Sequence, residues 1–290
     1  MIDLEIEELR GRIVDAVLSK QDENYRWGYD ARAARQQPLY VDYSPTYRST
    51  LWTLVLLADI QAPPELPQAR PALDLVEGRF YDPEHGIFRL QGMSHFPIPC
   101  LNGNMIYVQH YFGRVDAVRL ERTLEFFDQH QRFDDGDFLT PREFPYFGNK
   151  SCYGKHTCFW GVTKLLKGIS FIPRSQRSAR AQQLIERCIA FVLEHEVCFG
   201  SRHTERLLHR DIGLLTFPNF YKSDFLEILW LLRREGVQDR RIARAMDLLR
   251  SRMQEGGTWR LEKSQNSIVS IGQKGCANAF ITERAKEVLA

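Results

Sequence analysis

The chain has 290 residues, of which 43% are hydrophobic and 26% charged, and 39 basic against 37 acidic residues give a formal net charge of +2. These fractions are typical of a globular protein and exclude a disordered or fibrous one. The balanced charge provides no field that favours nucleic acid, and no apolar run reaches the ~20 residues of a membrane span. The N-terminus lacks the basic-then-apolar order of a secretory signal, so we expect a cytoplasmic protein with reduced cysteines.

Apolar residues recur at three- and four-residue spacing along most of the chain, which predicts helices. In chain order the predicted helices cover residues 6–19, 50–60, 67–80, 104–113, 116–129, 153–168, 180–195, 222–235, 239–253 and 279–289. Alternation typical of a strand is confined to residues 267–271. The sequence therefore predicts an all-α chain.

The predicted helices are of two alternating kinds. Helices such as 50–60 and 222–235 are apolar nearly all round, whereas 180–195 and 239–253 carry one apolar stripe and many charges. A helix with a polar face belongs on the outside of a fold, and a helix without one belongs inside. Such an inner–outer pair buries its apolar side only against neighbouring pairs. We therefore predict one domain over residues 1–290, closed by pairing of the first and last helices.

The predicted outer helices end alike, in a polar turn that is followed by an aromatic residue. The four turns occupy residues 21–28, 78–88, 129–138 and 254–259. This pattern resembles the QW-type repeat of the prenyltransferase and squalene-cyclase family, with residues 248–262 (LLRSRMQEGGTWRLE) as the best match. The resemblance implies a single (α/α)6 toroid of alternating inner and outer helices and an enzyme of the transferase or cyclase kind. The DxDD and DDxxD motifs of terpenoid enzymes are absent from the sequence, and we interpret DDGD at 134–137 as a solvated turn.

Long connections lead into the predicted inner helices, at residues 85–103, 138–151, 196–220 and 260–278. Inner helices of a toroid are parallel, so these loops and the helix N-termini would meet at one mouth. Long loops in a compact fold are usually functional, so we expect the site there. The residues at this mouth that we predict to bind the ligand are Tyr47, Arg48, Asn102, Asn104, Lys155 and Tyr221.

Cys152 and His156 are the predicted catalytic pair, because they are one helical turn apart and would share a helix face. A thiol at a helix N-terminus has a lowered pKa, and His156 would lower it further. The pair would supply a nucleophile or transfer protons, with Asp224 as the carboxylate partner. A buried thiol beside a core histidine is the alternative interpretation.

The predicted function is an enzyme without a cofactor, acting in the central cavity on an apolar or isoprenoid-like small molecule with a polar or anionic end. One alternative is a zinc-dependent transferase or cyclase, with Zn²⁺ held by Cys152, His156 and either Cys100 or Cys276. Cys152-Tyr153-Gly154 resembles an element of the lanthionine cyclases, which are toroidal zinc enzymes. The other alternative is a non-catalytic toroid that binds a lipid or peptide. We expect no nucleic-acid partner, while a partner subunit is compatible with the sequence.

Overall fold

Helices dominate the computed structural model, which describes residues 2–28, 49–89, 97–146 and 150–290. The helices of these residues are α1 (Ile2–Leu18), α2 (Thr50–Asp59), α3 (Ala69–Phe80), α4 (Pro99–Tyr111), α5 (Ala117–His130), α6 (Lys150–Tyr153), α7 (Phe159–Ser170), α8 (Ala179–Glu194), α9 (Phe225–Arg234), α10 (Ala243–Ser251) and α11 (Ala279–Leu289). One-turn 3₁₀ helices, Arg174–Gln176 and Arg240–Ile242, precede α8 and α10. The chain is helix-rich, as the periodicity predicts.

The only strands in the described part of the chain are β1 (Tyr81–Asp82) and β2 (Ile87–Phe88), which pair antiparallel in the turn after α3. The strand expected at 267–271 is therefore wrong. Asn266 explains the difference, because its side chain accepts a hydrogen bond from the Ile268 amide and donates one to the Val269 carbonyl. These local bonds give the backbone a turn in place of a ladder.

Burial separates the helices into the two predicted kinds. All ten residues of α2 are buried, whereas α8 buries one stripe that includes Leu184, Ile185, Cys188 and Val192. In the described residues α2, α4, α7 and α9 are inner helices by burial, and α1, α3, α5, α8 and α10 are outer helices. Six of the eleven residues of α11 are buried, and its contacts with α9 place it with the inner helices. Five inner–outer pairs are thus present in this part of the chain. The sixth pair of the expected (α/α)6 toroid is not among the described residues.

The inner helices α4 and α7 pack in unusually close contact and are parallel. A Cβ atom on Gly103 would lie 2.4 Å from the Lys164 carbonyl oxygen, so glycine permits the approach of the two backbones. Earlier in both helices Pro99 faces Gly161, and later Ile106 faces Gly168. Because the facing positions advance together, the two helices point the same way. Contacts between α2 and α4, α7 and α9, and α9 and α11 continue the series.

Two tryptophans that follow outer helices repeat the same hydrogen bonds at the two ends of the chain. Trp27 Nε1 donates to the Val17 carbonyl at the end of α1, and Trp259 Nε1 donates to the Leu249 carbonyl in α10, each ten residues back. Both backbone amides also donate to a threonine hydroxyl 23 residues ahead, in the first turn of the next inner helix. The indole rings are buried, so each one covers a helix end and links it to the next unit.

An ion pair joins the first and last helices. Arg10 on α1 is buried, and its guanidinium lies 2.6 Å from the Glu283 carboxylate on α11 while its Nε donates to the Ile60 carbonyl just after α2. The side chain therefore links α1, α11 and the end of α2. Among the described helices, none has the length and apolar character that crossing a bilayer requires.

Candidate functional site

Four charged side chains with no exposed surface lie between the inner helices. Lys167 Nζ on α7 is 2.6 Å from Asp59 Oδ1 on α2 and 2.8 Å from Glu227 Oε1 on α9. Lys164 Nζ, one turn earlier on α7, is 2.7 Å from Glu227 Oε2. We call these four residues the buried charge cluster. Two ammonium groups face two carboxylates, so the charges of the cluster balance.

Backbone and phenol groups complete the hydrogen bonding of the buried charge cluster. Asp59 also accepts bonds from the Tyr107 hydroxyl (3.1 Å) and the Asn219 amide (3.0 Å), and Lys164 also donates to the Asn219 carbonyl (2.8 Å). Burial alone would raise the pKa of Glu227, but Lys164 and Lys167 together lower it to about 2. Burial outweighs Glu227 and lowers the pKa of Lys164 to about 8. Both groups are therefore charged near neutral pH, and the interior at this level is occupied.

A cavity of about 680 Å³ opens beyond the buried charge cluster, at the C-terminal ends of the inner helices. We call it the helix-end cavity. Its lining comes from the last turns of α2, α4 and α9, from α11 and from the residue after α7. The lining residues used below are Asp59, Tyr107, Tyr111, Phe171, Trp230, Arg233, Arg234, Arg284 and Glu287.

Two aromatic rings of the helix-end cavity form cation–π contacts with arginine side chains of the protein. The Arg234 guanidinium lies 4.3 Å from the Phe171 ring centre, and that of Arg284 lies 4.6 Å from the Trp230 ring. These contacts hold the two arginines in place at the cavity wall. Arg284 is also fixed by a 2.8 Å bond to the Asn219 side chain.

Arg233 and Arg234 are both exposed, but only the Arg233 guanidinium has no hydrogen bond or ion pair in the described part of the chain. The cavity contains three arginines against two carboxylates, Asp59 and Glu287. Glu287 accepts a bond from the Trp230 indole, and Asp59 belongs to the buried charge cluster. The excess positive charge and the unengaged donors of Arg233 suit an anion.

This cavity lies at the opposite end from the inner-helix N-termini, where the sequence predicts the site, and that placement of the site stays a prediction. The prediction that neighbouring inner helices are parallel agrees with α4 and α7, but the hollow part is at their other end. At the N-terminal end the cavity beside Cys152 is only about 10 Å³, and a second one beside His156 is about 240 Å³. The physical reason is that Lys164 and Glu227 fill the centre, while the inner helices end in large aromatic side chains that leave space between them.

Cys152 and His156 do not share a helix face, because α6 ends at Tyr153 and α7 begins at Phe159. The predicted helix at 153–168 is therefore broken at its start. Cys152 is half-buried, and its thiol forms a hydrogen bond with Cys158, with Cys100 nearby. Burial raises the pKa of Cys100 to about 12, so this thiol stays protonated. His156 is exposed.

Asp224 is buried as the N-cap of α9, and its two oxygens accept bonds from the Glu227 and Thr216 amides at 2.8 and 2.6 Å. Burial raises its pKa to about 7. Asn102 bonds both backbone groups of Phe88 and thereby ties β2 to α4. Both side chains hold the fold together where they lie, and their catalytic and ligand-binding roles stay predictions.

The remaining predicted site residues are scattered. Asn104 is fully buried and donates to the Phe220 carbonyl, while its Oδ1 has no partner among the described residues. Lys155 is exposed and pairs with Asp137 at 3.1 Å, and Tyr221 is half-buried. Tyr47 and Arg48 lie outside the described residues. Of the predicted zinc ligands, Cys276 is exposed in the loop before α11.

Sequence reasoning missed the residues of the buried charge cluster. Asp59, Lys164, Lys167 and Glu227 each lie in a helix that is otherwise almost entirely apolar. A charge in such a helix is a signal, because an unpaired buried charge is very costly. Two acids and two lysines on three such helices could have indicated a buried, balanced cluster.

The comparisons with known proteins give likenesses to solved structures. No family model and no curated protein matches the chain. The chain aligns with the apo type II terpene cyclase MstE from Scytonema at 13% identity, over 100% of this chain and 98% of that one, with a TM-score of 0.36. Variants of MstE in complex with geranylgeranyl dihydroxybenzoate (substrate) and with merosterolic acid A (product) align at 12% identity and TM-scores of 0.37, over 88% and 98% of this chain and 80% and 96% of theirs. These likenesses concern the helical fold alone.

Proposed function

We propose that the protein is an enzyme that binds an isoprenoid-like small molecule with an anionic end in the helix-end cavity. The observation that carries this proposal is the lining, in which four aromatic side chains lie beside three arginines around about 680 Å³. Cavities of this size hold small molecules, with apolar walls for contact area and a few charged groups for orientation. The rings would bury an apolar chain, and the guanidinium groups would bind a carboxylate or phosphate.

The anionic end of the ligand would lie at Arg233. Arg234 and Arg284 are engaged with aromatic rings and a neighbouring amide, whereas the donors of Arg233 are unengaged and reach solvent. The α9 dipole opposes an anion at this end of the helix, but its effect is smaller than that of a full guanidinium charge. A planar guanidinium offers paired donors that match phosphate and carboxylate oxygens.

Tyr107 and Asp59 would carry the chemistry at the wall of the cavity. Burial, together with the neighbouring Asp59 carboxylate, raises the pKa of Tyr107 well above its usual 10, so the phenol keeps its proton. Its hydroxyl bonds Asp59 Oδ1, which is in turn held by Lys167. A fixed phenol beside a fixed carboxylate can give a proton to a bound molecule and recover it. This assignment differs from the predicted catalysis by Cys152 and His156, and the experiment below separates the two.

Binding and turnover of farnesyl diphosphate, with farnesol as the probe that lacks the anion, test the proposal. Titration calorimetry should detect the diphosphate, and Arg233→Gln should weaken its binding by roughly 10- to 100-fold through loss of one charged contact. Binding of farnesol should be insensitive to this substitution. Tyr107→Phe should leave binding within a few-fold of wild type and remove the product detected by mass spectrometry.

Two further variants make the result decisive. Arg210→Gln removes a highly exposed arginine outside the cavity and should leave binding unchanged. Cys152→Ser should also leave binding and turnover unchanged if the helix-end cavity is the site. If Cys152→Ser loses turnover and Tyr107→Phe keeps it, the proposal is refuted in favour of the thiol chemistry. Binding without any product would support the non-catalytic alternative instead, and zinc at the thiols and the cytoplasmic location stay predictions.

A further inference from the structure

A second cavity, of about 240 Å³, lies beside the start of α7 and is separate from the helix-end cavity. Its walls come from the turn after α5, the segment between α6 and α7, and the loop after α8. They include one carboxylate and three imidazoles, those of Asp135, His156, His195 and His203. We call it the His195 cavity.

The His195 ring is buried and held in one orientation. It is only 2% exposed and packs edge-on against Phe159 and Phe191, with ring centres 5.3 and 4.7 Å away. Its Nδ1 lies 3.0 Å from the Phe199 carbonyl oxygen, which can only accept, so Nδ1 carries the proton. In the neutral ring Nε2 therefore presents a lone pair towards the cavity, the tautomer that histidine metal ligands use.

The Nε2 atom faces a carboxylate and not a donor. Asp135 Oδ2 lies 3.2 Å from His195 Nε2, yet no aligned hydrogen bond joins them. The Ser201 hydroxyl already donates to the same oxygen and fixes the carboxylate. Two acceptor atoms this close need a positive charge between them, and the lack of an aligned hydrogen bond favours a metal ion over a second proton on the ring. Tetrahedral Zn²⁺ with bonds of roughly 2.1 Å to nitrogen and oxygen separates two ligand atoms by about 3.4 Å, close to the distance observed.

His156 and His203 are exposed on the cavity walls, and His203 Nδ1 lies 4.0 Å from Glu205 Oε1. Side-chain rotation is needed, since in the described residues only Asp82, Glu84 and His85 have three ligand atoms all within 4.8 Å of one another. That acidic group is a poorer metal site despite its spacing. Asp82 Oδ2 already bonds His85 Nδ1 and Arg89 Nε, both at 2.7 Å, so a guanidinium supplies the positive charge there.

We propose that His195 and Asp135, with His156 and His203 completing the set, bind a Zn²⁺ ion. The ion would join three loops at the N-terminal end of α7, which gives it a structural role. The site shares no residue with the helix-end cavity, so it stands or falls independently of the proposed function. The predicted thiol site has sulfur ligands, whereas this site has only nitrogen and oxygen ligands. The two sites have His156 in common.

The test uses the full chain after removal of metal with a chelator. Zn²⁺ titration against a chromophoric chelator should give one equivalent bound per chain, and bound Zn²⁺ should raise the melting temperature. Co²⁺ in the same site should give the visible bands of tetrahedral coordination without a thiolate charge-transfer band in the near ultraviolet. His195→Gln and Asp135→Asn should each weaken Zn²⁺ binding at least about tenfold and remove the thermal shift.

His85→Gln, in the acidic group that already contains Arg89, is the matched control and should bind Zn²⁺ like wild type. Asp135→Asn keeps the shape of a side chain that is already 25% exposed, so it preserves the test even where His195→Gln destabilises the fold. Failure of the wild type to bind Zn²⁺ would overturn the proposal. A thiolate charge-transfer band that disappears in Cys152→Ser would overturn it as well, since the metal would then lie at the cysteines.

Discussion

Lys167→Met tests the buried charge cluster, because it removes one charge and keeps a side chain of similar length. Lys167 is the shared partner of Asp59 and Glu227, at 2.6 and 2.8 Å, and none of the three side chains is exposed. After the substitution two carboxylates share the single ammonium group of Lys164. Removing one partner of a buried ion pair costs about 3–5 kcal/mol. Asp59 retains bonds from Tyr107 and Asn219, so we expect the lower end, about 3 kcal/mol.

Urea unfolding followed by circular dichroism measures this loss, with the double variant Lys167→Met/Asp59→Asn as the decisive comparison. The double variant restores the charge balance and should be more stable than Lys167→Met alone, since no carboxylate is left without a partner. Arg114→Met, which removes an exposed ion pair with Asp74, should change stability little. A Lys167→Met protein within about 1 kcal/mol of wild type, or a double variant less stable than the single, would refute this reasoning.

Three further predictions concern packing, pH and capping. Gly103→Ala should destabilise the fold by at least about 3 kcal/mol, because its Cβ would lie 2.4 Å from the Lys164 carbonyl oxygen. Gly78→Ala has open space in α3 and should stabilise the fold by about 0.5–1 kcal/mol. Equal effects of the two substitutions in thermal unfolding would contradict the packing. Burial raises the pKa of Asp224 to about 7, so its contribution to stability is present below about pH 4 and is lost as the pH rises to 7. The stability difference between wild type and Asp224→Asn should therefore shrink from pH 4 to pH 8, and a constant or growing difference is the opposing result. Trp259→Phe removes the indole hydrogen bond to α10 and should lower the free energy of unfolding in urea by about 1 kcal/mol. An unchanged free energy of unfolding would contradict this role of the indole.

The helices could be predicted because the pattern of apolar residues directly reflects burial. The predicted segments at 50–60 and 279–289 match α2 and α11 within a residue, and the alternation of inner and outer helices is present throughout the described residues. The start of α7 was misplaced, since residues 153–158 continue the apolar pattern although the chain leaves the helix at Tyr153. A glycine at 154 whose Cβ would lie 2.1 Å from the Lys150 carbonyl oxygen marks this break, and the pattern of hydrophobicity does not register it.

The helix-end cavity could not be predicted from loops and caps, because side-chain volume decides which end of the helix array is open. Sequence reasoning placed the site beside Cys152, where the thiols pack against one another. Lys164 and Glu227 block the centre from that side, and their pairing depends on contacts between α7 and α9 that no local pattern reports. His195 was likewise assigned to a predicted helix, and its unpaired Nε2 becomes visible only once the Asp135 turn is placed beside it.

Hydrogen–deuterium exchange with and without farnesyl diphosphate tests most directly which end of the helix array holds the ligand. Our account predicts slowed exchange in the segments that form the helix-end cavity, around residues 58–62, 107–112, 230–234 and 284–290. It also predicts unchanged exchange around residues 150–158. Protection confined to residues 150–158, with none at the C-terminal ends of the inner helices, would contradict the central claim.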